Sequence, residues 1–213
     1  MKEFSFNTIN NFDDHIMKSI PNYDVLINTI LSMSEYFLEK GTNIYDLGCS
    51  TGKLLKSLPN SNENNKIGYD NASLMPESNE NIEFKVVNLN NEFSIINACL
   101  VYSVFTMQFL NRINRLNYCK TIYEGLNEGG ALFLCEKIYQ LDGLLQEILT
   151  FSHYDYKKNH FTDEEIYAKE HDLRFIMKPN RQGENELLLK EAGFSTVTQF
   201  WQSYNFIGLI AIK

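Results

Sequence analysis

The residues with the clearest chemical meaning form a short glycine-bearing stretch, Asp46-Leu47-Gly48-Cys49-Ser50-Thr51-Gly52. An apolar run leads into it and Leu54 and Leu55 follow it, so the pattern predicts a strand, a tight turn and a helix. Gly48 can adopt backbone angles closed to other residues, and the first turn of a helix points unpaired N–H groups into the turn. Neither the phosphate-loop spacing nor the G-x-G-x-x-G spacing of dinucleotide enzymes is present. The stretch therefore predicts a site for a nucleotide-like ligand held in another way.

A second acid, Asp70, ends the predicted strand 66–70, about two dozen residues after Asp46. Doubly wound folds place the carboxylate that holds a ribose near this offset. A carboxylate accepts hydrogen bonds from both ribose hydroxyls, which suits Asp70 to that role. The competing interpretation is a solvated loop acid, and the coincidence of spacing and motif favours the ribose role.

Candidate acid–base groups and pocket-lining groups concentrate near the polar segment 152–160. His153, His160 and His171 are candidate general bases because histidine changes charge near neutral pH, with a structural histidine as the alternative for each. Four aromatic side chains have faces that attract a cationic ligand, although aromatics at strand spacing are usually core: Tyr154, Tyr156, Trp201 and Tyr204. The pair Lys157-Lys158 is either an anion site or a solvated face.

The composition favours a globular protein that acts on a small molecule. The 213 residues are 44% hydrophobic and 22% charged, and the formal net charge is −8 without a long Lys/Arg cluster, which disfavours a nucleic-acid substrate. No apolar run approaches the roughly 18 to 20 residues of a membrane span, and the N-terminus has no signal-peptide core, so we expect a cytoplasmic protein with no membrane partner. The four cysteines lack C-x-x-C spacing, which predicts free thiols and no metal site.

Strands and helices alternate on either side of the glycine stretch. Predicted strands cover 43–47, 66–70, 82–87, 98–104 and 131–135, and predicted helices cover 21–39, 51–58, 113–126 and 184–192. The helix 113–126 is expected to stop at Asn127-Glu128-Gly129-Gly130. This alternation requires a mostly parallel sheet with helices on both faces. The apolar strands 195–200 and 203–212 form a terminal hairpin that makes the last strand antiparallel.

The organisation predicted from these elements is a single α/β domain over 1–213. Within it, residues 12–40 supply an N-terminal covering helix. Residues 141–182 form a helical lid or substrate region, whose polar part 151–182 lies where insertions in α/β sheets shape the pocket.

Several motifs together resemble one known family. They are Asp-Leu-Gly-Cys-Ser at 46–50, Phe-Thr-Met-Gln-Phe-Leu at 105–110, Gly-Gly-Ala-Leu-Phe-Leu-Cys-Glu-Lys at 129–137 and Phe-Trp-Gln-Ser-Tyr-Asn-Phe at 200–206. The chain resembles class I S-adenosylmethionine (SAM)-dependent methyltransferases and, more narrowly, carboxy-S-adenosylmethionine synthases, over most of residues 12–213. The resemblance implies a Rossmann-like class I fold with seven strands, mostly parallel, and an antiparallel last strand.

The resemblance also implies the cofactor and its contacts. The cofactor would be SAM, with carboxy-SAM or S-adenosylhomocysteine as product, and the family's homodimer would be the assembly. The implied contacts are Tyr23, Asp46, Gly48, Cys49, Ser50, Asp70, Asn71, Asn88, Leu89 and Val104. The family makes carboxy-SAM from SAM and prephenate for the later modification of a tRNA wobble uridine.

Two positions depart from the family pattern. Val104 stands where the family has an asparagine, and Glu170 stands where it has an arginine that grips the added carboxylate. A glutamate there would repel that carboxylate, unless Lys169 or Arg174, one helical turn away, compensates.

Glu170 directs the functional prediction towards methyl transfer from SAM to a small metabolite. Carboxy-SAM synthesis from SAM and prephenate is the first alternative, and a non-catalytic SAM-binding subunit is the second. Candidate catalytic residues are His153, Tyr156 and Glu170. Candidate substrate contacts are Tyr154, Lys157, Glu170, Arg174, Trp201 and Tyr204.

Overall fold

The computed structural model describes residues 12–59, 63–71 and 75–213, and within them a mixed sheet forms the centre of the fold. Its strands are β1 (Asn43–Leu47), β2 (Asn65–Asp70), β3 (Ile82–Val86), β4 (Ala98–Val104), β5 (Leu126–Tyr139), β6 (Asn180–Arg181), β7 (Thr196–Ser203) and β8 (Phe206–Ile212). The strand order is β3-β2-β1-β4-β5-β8-β7, and the two-residue β6 pairs with β5. Strand β8 is antiparallel to both of its neighbours, whereas the remaining pairs are parallel. The predicted fold class is therefore confirmed, with β6 as an additional short strand.

Helices cover both faces of this sheet. They are α1 (Phe12–Ser19), α2 (Tyr23–Ser34), α3 (Lys53–Ser57), α4 (Arg115–Gly125), α5 (Gly143–Lys157), α6 (Asp163–Ile176) and α7 (Glu184–Ala192). One core packs α4 and α7 against the sheet, and the other packs α2 and α3 against the opposite face. Successive strand residues alternate between the two cores, as the pleat requires, so the central strands are apolar on both sides.

The N-terminal segment differs from the single predicted helix over 21–39. It forms two helices, α1 and α2, and a 3₁₀ turn at Glu35–Phe37 follows. The break lies where Ile20 precedes Pro21, because a residue before proline is disfavoured in the helical region. Asn22 then adopts a left-handed φ of 59°, which asparagine tolerates better than most residues.

Two further boundaries differ from the prediction. Helix α4 ends at Gly125, and the predicted stop at 127–130 is part of β5, which includes Gly129 at φ 78° and a register shift against β4. The polar segment 152–160 is helical as far as Lys157, where α5 ends, and the break between the two lid helices lies at 158–162. Helix α6 begins after Thr162, which forms a capping box with Glu165.

Within the described ranges, no helix is both long and apolar enough to cross a bilayer.

Candidate functional site

A cavity of about 300 Å³ opens at the carboxyl ends of β1, β2 and β4. This is the edge at which parallel α/β sheets bind ligands. Its walls come from the turn after β1, the ends of β2 and β4, helices α1 and α2, and the lid helices α5 and α6. Residues at the strand ends therefore form one wall of the cavity, and residues of the helices form most of the other.

The ligand turn (residues 47–52) is held by hydrogen bonds from the neighbouring strand. The N–H groups of Gly48 and Cys49 donate to the Tyr69 carbonyl at 2.7 and 3.1 Å. The Ser50 N–H donates to Asp70 Oδ2 at 2.8 Å. Gly48 has a φ of 82°, and the Thr106 side chain occupies the space that a Cβ at this position would need. Any larger residue than glycine would therefore be strained and would collide with Thr106.

All ten residues predicted to contact the cofactor line this cavity. They are Tyr23, Asp46, Gly48, Cys49, Ser50, Asp70, Asn71, Asn88, Leu89 and Val104. They come from five separate stretches of the chain, which the fold brings together at one cavity. Their individual roles stay predictions.

The acidic part of the cavity contains a buried carboxyl group with an unusual pKa. Asp46 is 4% exposed, and burial together with the charge of Asp70 raises its pKa to about 7. Burial also raises the pKa values of the Tyr23 phenol and the Cys49 thiol, so both are neutral at physiological pH. Two adjacent acidic groups in a poorly solvated wall favour a positively charged ligand group beside them.

On the lid side, three lysines and one glutamate form an ion cluster: Lys137, Lys157, Lys169 and Glu170. All four line the cavity. Lys157 Nζ lies 2.9 Å from Glu170 Oε1, and Lys137 Nζ lies 3.8 Å from Glu170 Oε2. Burial acts to raise the pKa of Glu170, but the two ammonium groups outweigh it and hold the pKa below its usual value. With every group ionised, the cluster has an excess of positive charge.

His153 also lines the cavity, and its surroundings weaken it as a base. Its Nε2 lies 2.8 Å from the Ser19 carbonyl, which can only accept, so Nε2 carries the hydrogen in this arrangement. Burial, followed by the charge of Lys157, lowers its pKa to about 4. A histidine with this pKa is neutral at physiological pH and accepts protons poorly. The bond to Ser19 instead ties α5 to the end of α1.

Five residues predicted to be catalytic or to contact the substrate do not line the cavity, which corrects the prediction that they do: Tyr154, Tyr156, Arg174, Trp201 and Tyr204. The same holds for two of the three candidate general bases, His160 and His171. His153 and Lys157 are the α5 residues that line the cavity, and because they are four residues apart they share one face of the helix. Tyr154 and Tyr156 lie between them in sequence and are therefore on other faces of α5. Tyr156 Oη donates to the Met17 carbonyl at 3.4 Å.

The other three have different surroundings. Trp201 packs against the α2–α3 core, and Arg174 is on the exposed side of α6. Tyr204 occupies the β7–β8 turn at φ 48°.

Several cavity residues were missed by the sequence reasoning. Helix α1 contributes Asp13 and His15, and Asp13 Oδ1 accepts a hydrogen bond from the Thr51 hydroxyl at 2.9 Å. The helical spacing of Phe12, Ile16 and Ser19 would have signalled a cavity-facing stripe. Lys137 was also missed, although its place near the carboxyl end of a parallel strand was a usable signal.

No cluster of potential metal ligands accompanies the cavity. Within the part of the chain that the structure describes, no three or more His, Cys, Asp or Glu side chains are grouped so that they could hold an ion.

Comparison with known proteins points to one family. No family model matches the chain. The carboxy-S-adenosyl-L-methionine synthase of Staphylococcus epidermidis is 34% identical over 98% of this chain and 95% of its own length. The synthase of the same name from Shewanella halifaxensis is 36% identical over 95% of this chain and 88% of its own length.

A solved structure of human N-acetylserotonin methyltransferase in complex with SAM superimposes with a TM-score of 0.60 over 90% of this chain. The sequence identity is 15%, and this chain spans about half of that protein's length, with 52% covered. This likeness shows the shared fold.

Proposed function

Because the chain belongs to the carboxy-S-adenosyl-L-methionine synthase family, we propose that it binds SAM in the cavity and converts it to carboxy-SAM. The donor would be a small carboxylate-bearing molecule, for which the resemblance implies prephenate. The observation that carries this proposal is the excess of lysine over glutamate in the ion cluster. The proposal goes beyond the family assignment, because it specifies the reaction.

The acidic part of the cavity suits the cationic cofactor. Asp70 orders the ligand turn through Ser50, and a carboxylate at the end of β2 matches the hydroxyls of a ribose. Asp46 and Asp70 together favour the ammonium and sulfonium groups of SAM. The glycine turn supplies backbone N–H groups at close range.

The ion cluster changes the expected effect of Glu170. An uncompensated glutamate would repel a carboxylate, and that repulsion was the basis for predicting methyl transfer. Glu170 is instead paired with Lys157 and Lys137, neither of which is the compensating residue expected from the sequence. With Lys169 added, the ion cluster has three ammonium groups and one carboxylate, so a second carboxylate is attracted to this part of the cavity.

The reaction breaks one C–H bond of the sulfonium methyl group and the bond that joins the donor to its carboxyl group, and it forms a C–C bond between the methyl carbon and that carboxyl carbon. With prephenate as donor, the electron pair of the broken C–C bond makes the ring aromatic and expels the ring hydroxyl as hydroxide, which takes the methyl proton and leaves as water, so that phenylpyruvate is the second product. The chain's residues hold the two molecules in contact and exclude water, and this is where most of the acceleration would arise. The lysines would hold the donor carboxylate and then the product carboxylate. His153, with its low pKa, would help to hold α1 over the cavity and is a poor acceptor for the methyl proton.

The test incubates the purified protein with SAM, with and without prephenate, and weighs the bound nucleotide by mass spectrometry. We expect a species one carboxyl group heavier than SAM only when prephenate is present. Unchanged SAM in both samples would overturn the proposed reaction. If the protein binds SAM but does not convert it with any acceptor tested, a non-catalytic SAM-binding subunit is the interpretation that remains.

Methyl transfer to a small metabolite is the second candidate. The observation in its favour is Glu170 itself, where the family pattern has an arginine, together with Val104 in place of an asparagine. It predicts that S-adenosylhomocysteine accumulates when an acceptor is supplied.

We also propose that the protein is a homodimer that uses the outer face of α5. Five apolar residues there form a stripe at helical spacing and are 42% to 70% exposed: Leu141, Leu144, Leu145, Ile148 and Phe151. The stripe exposes on the order of 600 Å² of apolar surface, as large as the largest patch of a typical monomer. Two copies would bury roughly 1,200 Å² in total, the lower end of specific interfaces.

Light scattering of Ile148→Lys against wild type tests this dimer. Loss of a wild-type dimer in the variant supports the interface, and a dimer that survives the change excludes it.

We also propose that the protein resides in the cytoplasm, because its four cysteines are free thiols, which is usual in a reducing compartment.

A further inference from the structure

Arg115, in the first turn of α4, is a charged residue that lies almost wholly inside the protein, with 1% of its surface exposed. Its guanidinium donates to the carbonyls of Gln108 and Leu110 at 3.1 Å each. It also donates to the Lys178 carbonyl at 2.7 Å and to Asn180 Oδ1 at 2.6 Å. These acceptors belong to two parts of the chain that are far apart in sequence.

The first part is the β4 loop, residues 105–110, which follows β4 and lines the cavity next to the ligand turn. The second part is the lid return, residues 177–180, which follows α6 and contributes Met177 to the cavity wall. The two also meet directly, since the Lys178 N–H donates to the Gln108 carbonyl at 2.8 Å. Arg115 is therefore bonded to both the sheet-borne wall and the lid-borne wall of the cavity without lining it.

The β4 loop has a second anchor that the lid return does not share. Glu136 is 2% exposed and accepts a hydrogen bond from the Met107 N–H at 2.9 Å, whereas Arg115 donates to carbonyl groups of the same loop. The Gln108 side chain adds a bond from the Lys137 N–H at 2.9 Å. Loss of Arg115 would therefore leave the β4 loop attached to β5, while the lid return would lose two of its bonds to the rest of the wall.

We propose that Arg115 is a positioning residue that sets the lid against the sheet-borne wall and so determines the affinity for the carboxylate-bearing second substrate. The inference rests on the proposed function, because the lid contributes Lys169 and Glu170 to the cavity. Displacement of reacting groups by about 1 Å is enough to slow a reaction strongly. Arginine is suited to this position because its planar guanidinium has five donors in a fixed arrangement, whereas lysine has three on one nitrogen.

A purely structural role for Arg115 predicts a different result. If Arg115 only stabilised the fold, its loss would weaken the binding of SAM and of the second substrate together. A positioning role separates the two, because the SAM-binding wall keeps Glu136 and the ligand turn.

The main experiment compares Arg115→Lys with wild type. We expect the dissociation constant for SAM, measured by calorimetry, to stay within about threefold, and the KM for prephenate to rise at least about tenfold. The matched control is Arg112→Lys, because Arg112 Nη2 donates to the lid return at the Pro179 carbonyl at 2.8 Å, whereas the guanidinium of Arg115 donates to both the lid return and the β4 loop. Both constants should change less than about threefold in that control. Equal changes in both constants for Arg115→Lys would overturn the proposal.

A second variant and a second measurement apply if Arg115→Lys does not fold or wild type makes no carboxy-SAM. Asn180→Ala removes one lid-side acceptor and leaves Arg115 in place. Amide hydrogen exchange on this variant should show faster exchange over 163–180 and unchanged exchange over 43–57. Unchanged exchange over 163–180 would overturn the positioning role, whether or not the proposed reaction occurs.

Discussion

The ligand turn and the ion cluster face the same cavity but are built in different ways. The turn consists of backbone fixed by Tyr69 and Asp70 on the next strand, and it depends on two glycines at positive φ, Gly48 and Gly52. The ion cluster consists of long side chains from β5, α5 and α6, and it depends on the balance of charge among them. A single local motif therefore defines the first region, and only the tertiary structure defines the second. The ligand turn therefore constrains the identity of the cofactor more tightly than the ion cluster constrains the identity of the second substrate.

The largest expected effect comes from adding one carbon atom to the ligand turn. Gly48→Ala forces a non-glycine residue to φ 82° and places its Cβ against Thr106. We expect SAM affinity, measured by calorimetry, to fall at least about a hundredfold, since the positive φ alone costs about 1–2 kcal/mol. The control is Gly41→Ala, because Gly41 has a φ of 76° but no atom within 4 Å of the added Cβ. Equal SAM affinity in the two variants would show that a collision between the added Cβ and Thr106 does not limit SAM binding.

The next effect tests the ion cluster. Lys157→Met removes the ammonium group 2.9 Å from Glu170 and leaves that carboxylate with the more distant Lys137. We expect the KM for prephenate to rise about tenfold or more while SAM affinity changes less than about threefold. The neighbouring Lys158 has a side chain that is 51% exposed, so Lys158→Met is the matched control and should leave both constants unchanged. A parallel loss of SAM affinity in Lys157→Met would show that the two regions are not independent.

A smaller effect concerns pH. Burial, followed by the charge of Lys157, lowers the pKa of Lys169 to about 8, although Asp172 and Glu170 oppose this shift. The ammonium group is present below that pKa and lost above it. The KM for prephenate should therefore rise about fivefold between about pH 7 and about pH 9. Lys169→Arg should flatten this dependence, because a guanidinium stays charged over the range. The same pH profile in both proteins would exclude Lys169 as its source.

The smallest effect is expected at His153, which lies between the two regions. Glutamine can still donate to the Ser19 carbonyl, so His153→Gln should keep kcat within about threefold. A general base would instead lose about a hundredfold or more when replaced. Single-turnover rates of carboxy-SAM formation distinguish these outcomes, and a large loss would assign His153 a direct role in proton transfer.

The sequence predicted many of the residues that line the sheet-borne half of the cavity, and their roles in binding stay predictions. The glycine turn, Asp70 and the strands that carry them are local patterns with known spacing, and all ten predicted contacts line the cavity. The lid was harder because ion pairs join residues that are distant in sequence. Nothing local to Glu170 shows that Lys137, from a different strand, lies beside it. Trp201 was misplaced for a related reason, since an aromatic residue on a strand packs equally well in a core or a pocket.

Strand β5 has two adjacent side chains of opposite charge on opposite faces of the sheet. Glu136 lies on the side of α4, where it holds the β4 loop, whereas Lys137 lies in the cavity. A shift of one residue in strand register exchanges the two faces. Insertion of a single residue just before Glu136 would therefore bring a carboxylate into the ion cluster and turn the ammonium group of Lys137 to the α4 side of the sheet. Between Ala131 and Lys137, the number of residues in β5 therefore determines which charge faces the cavity.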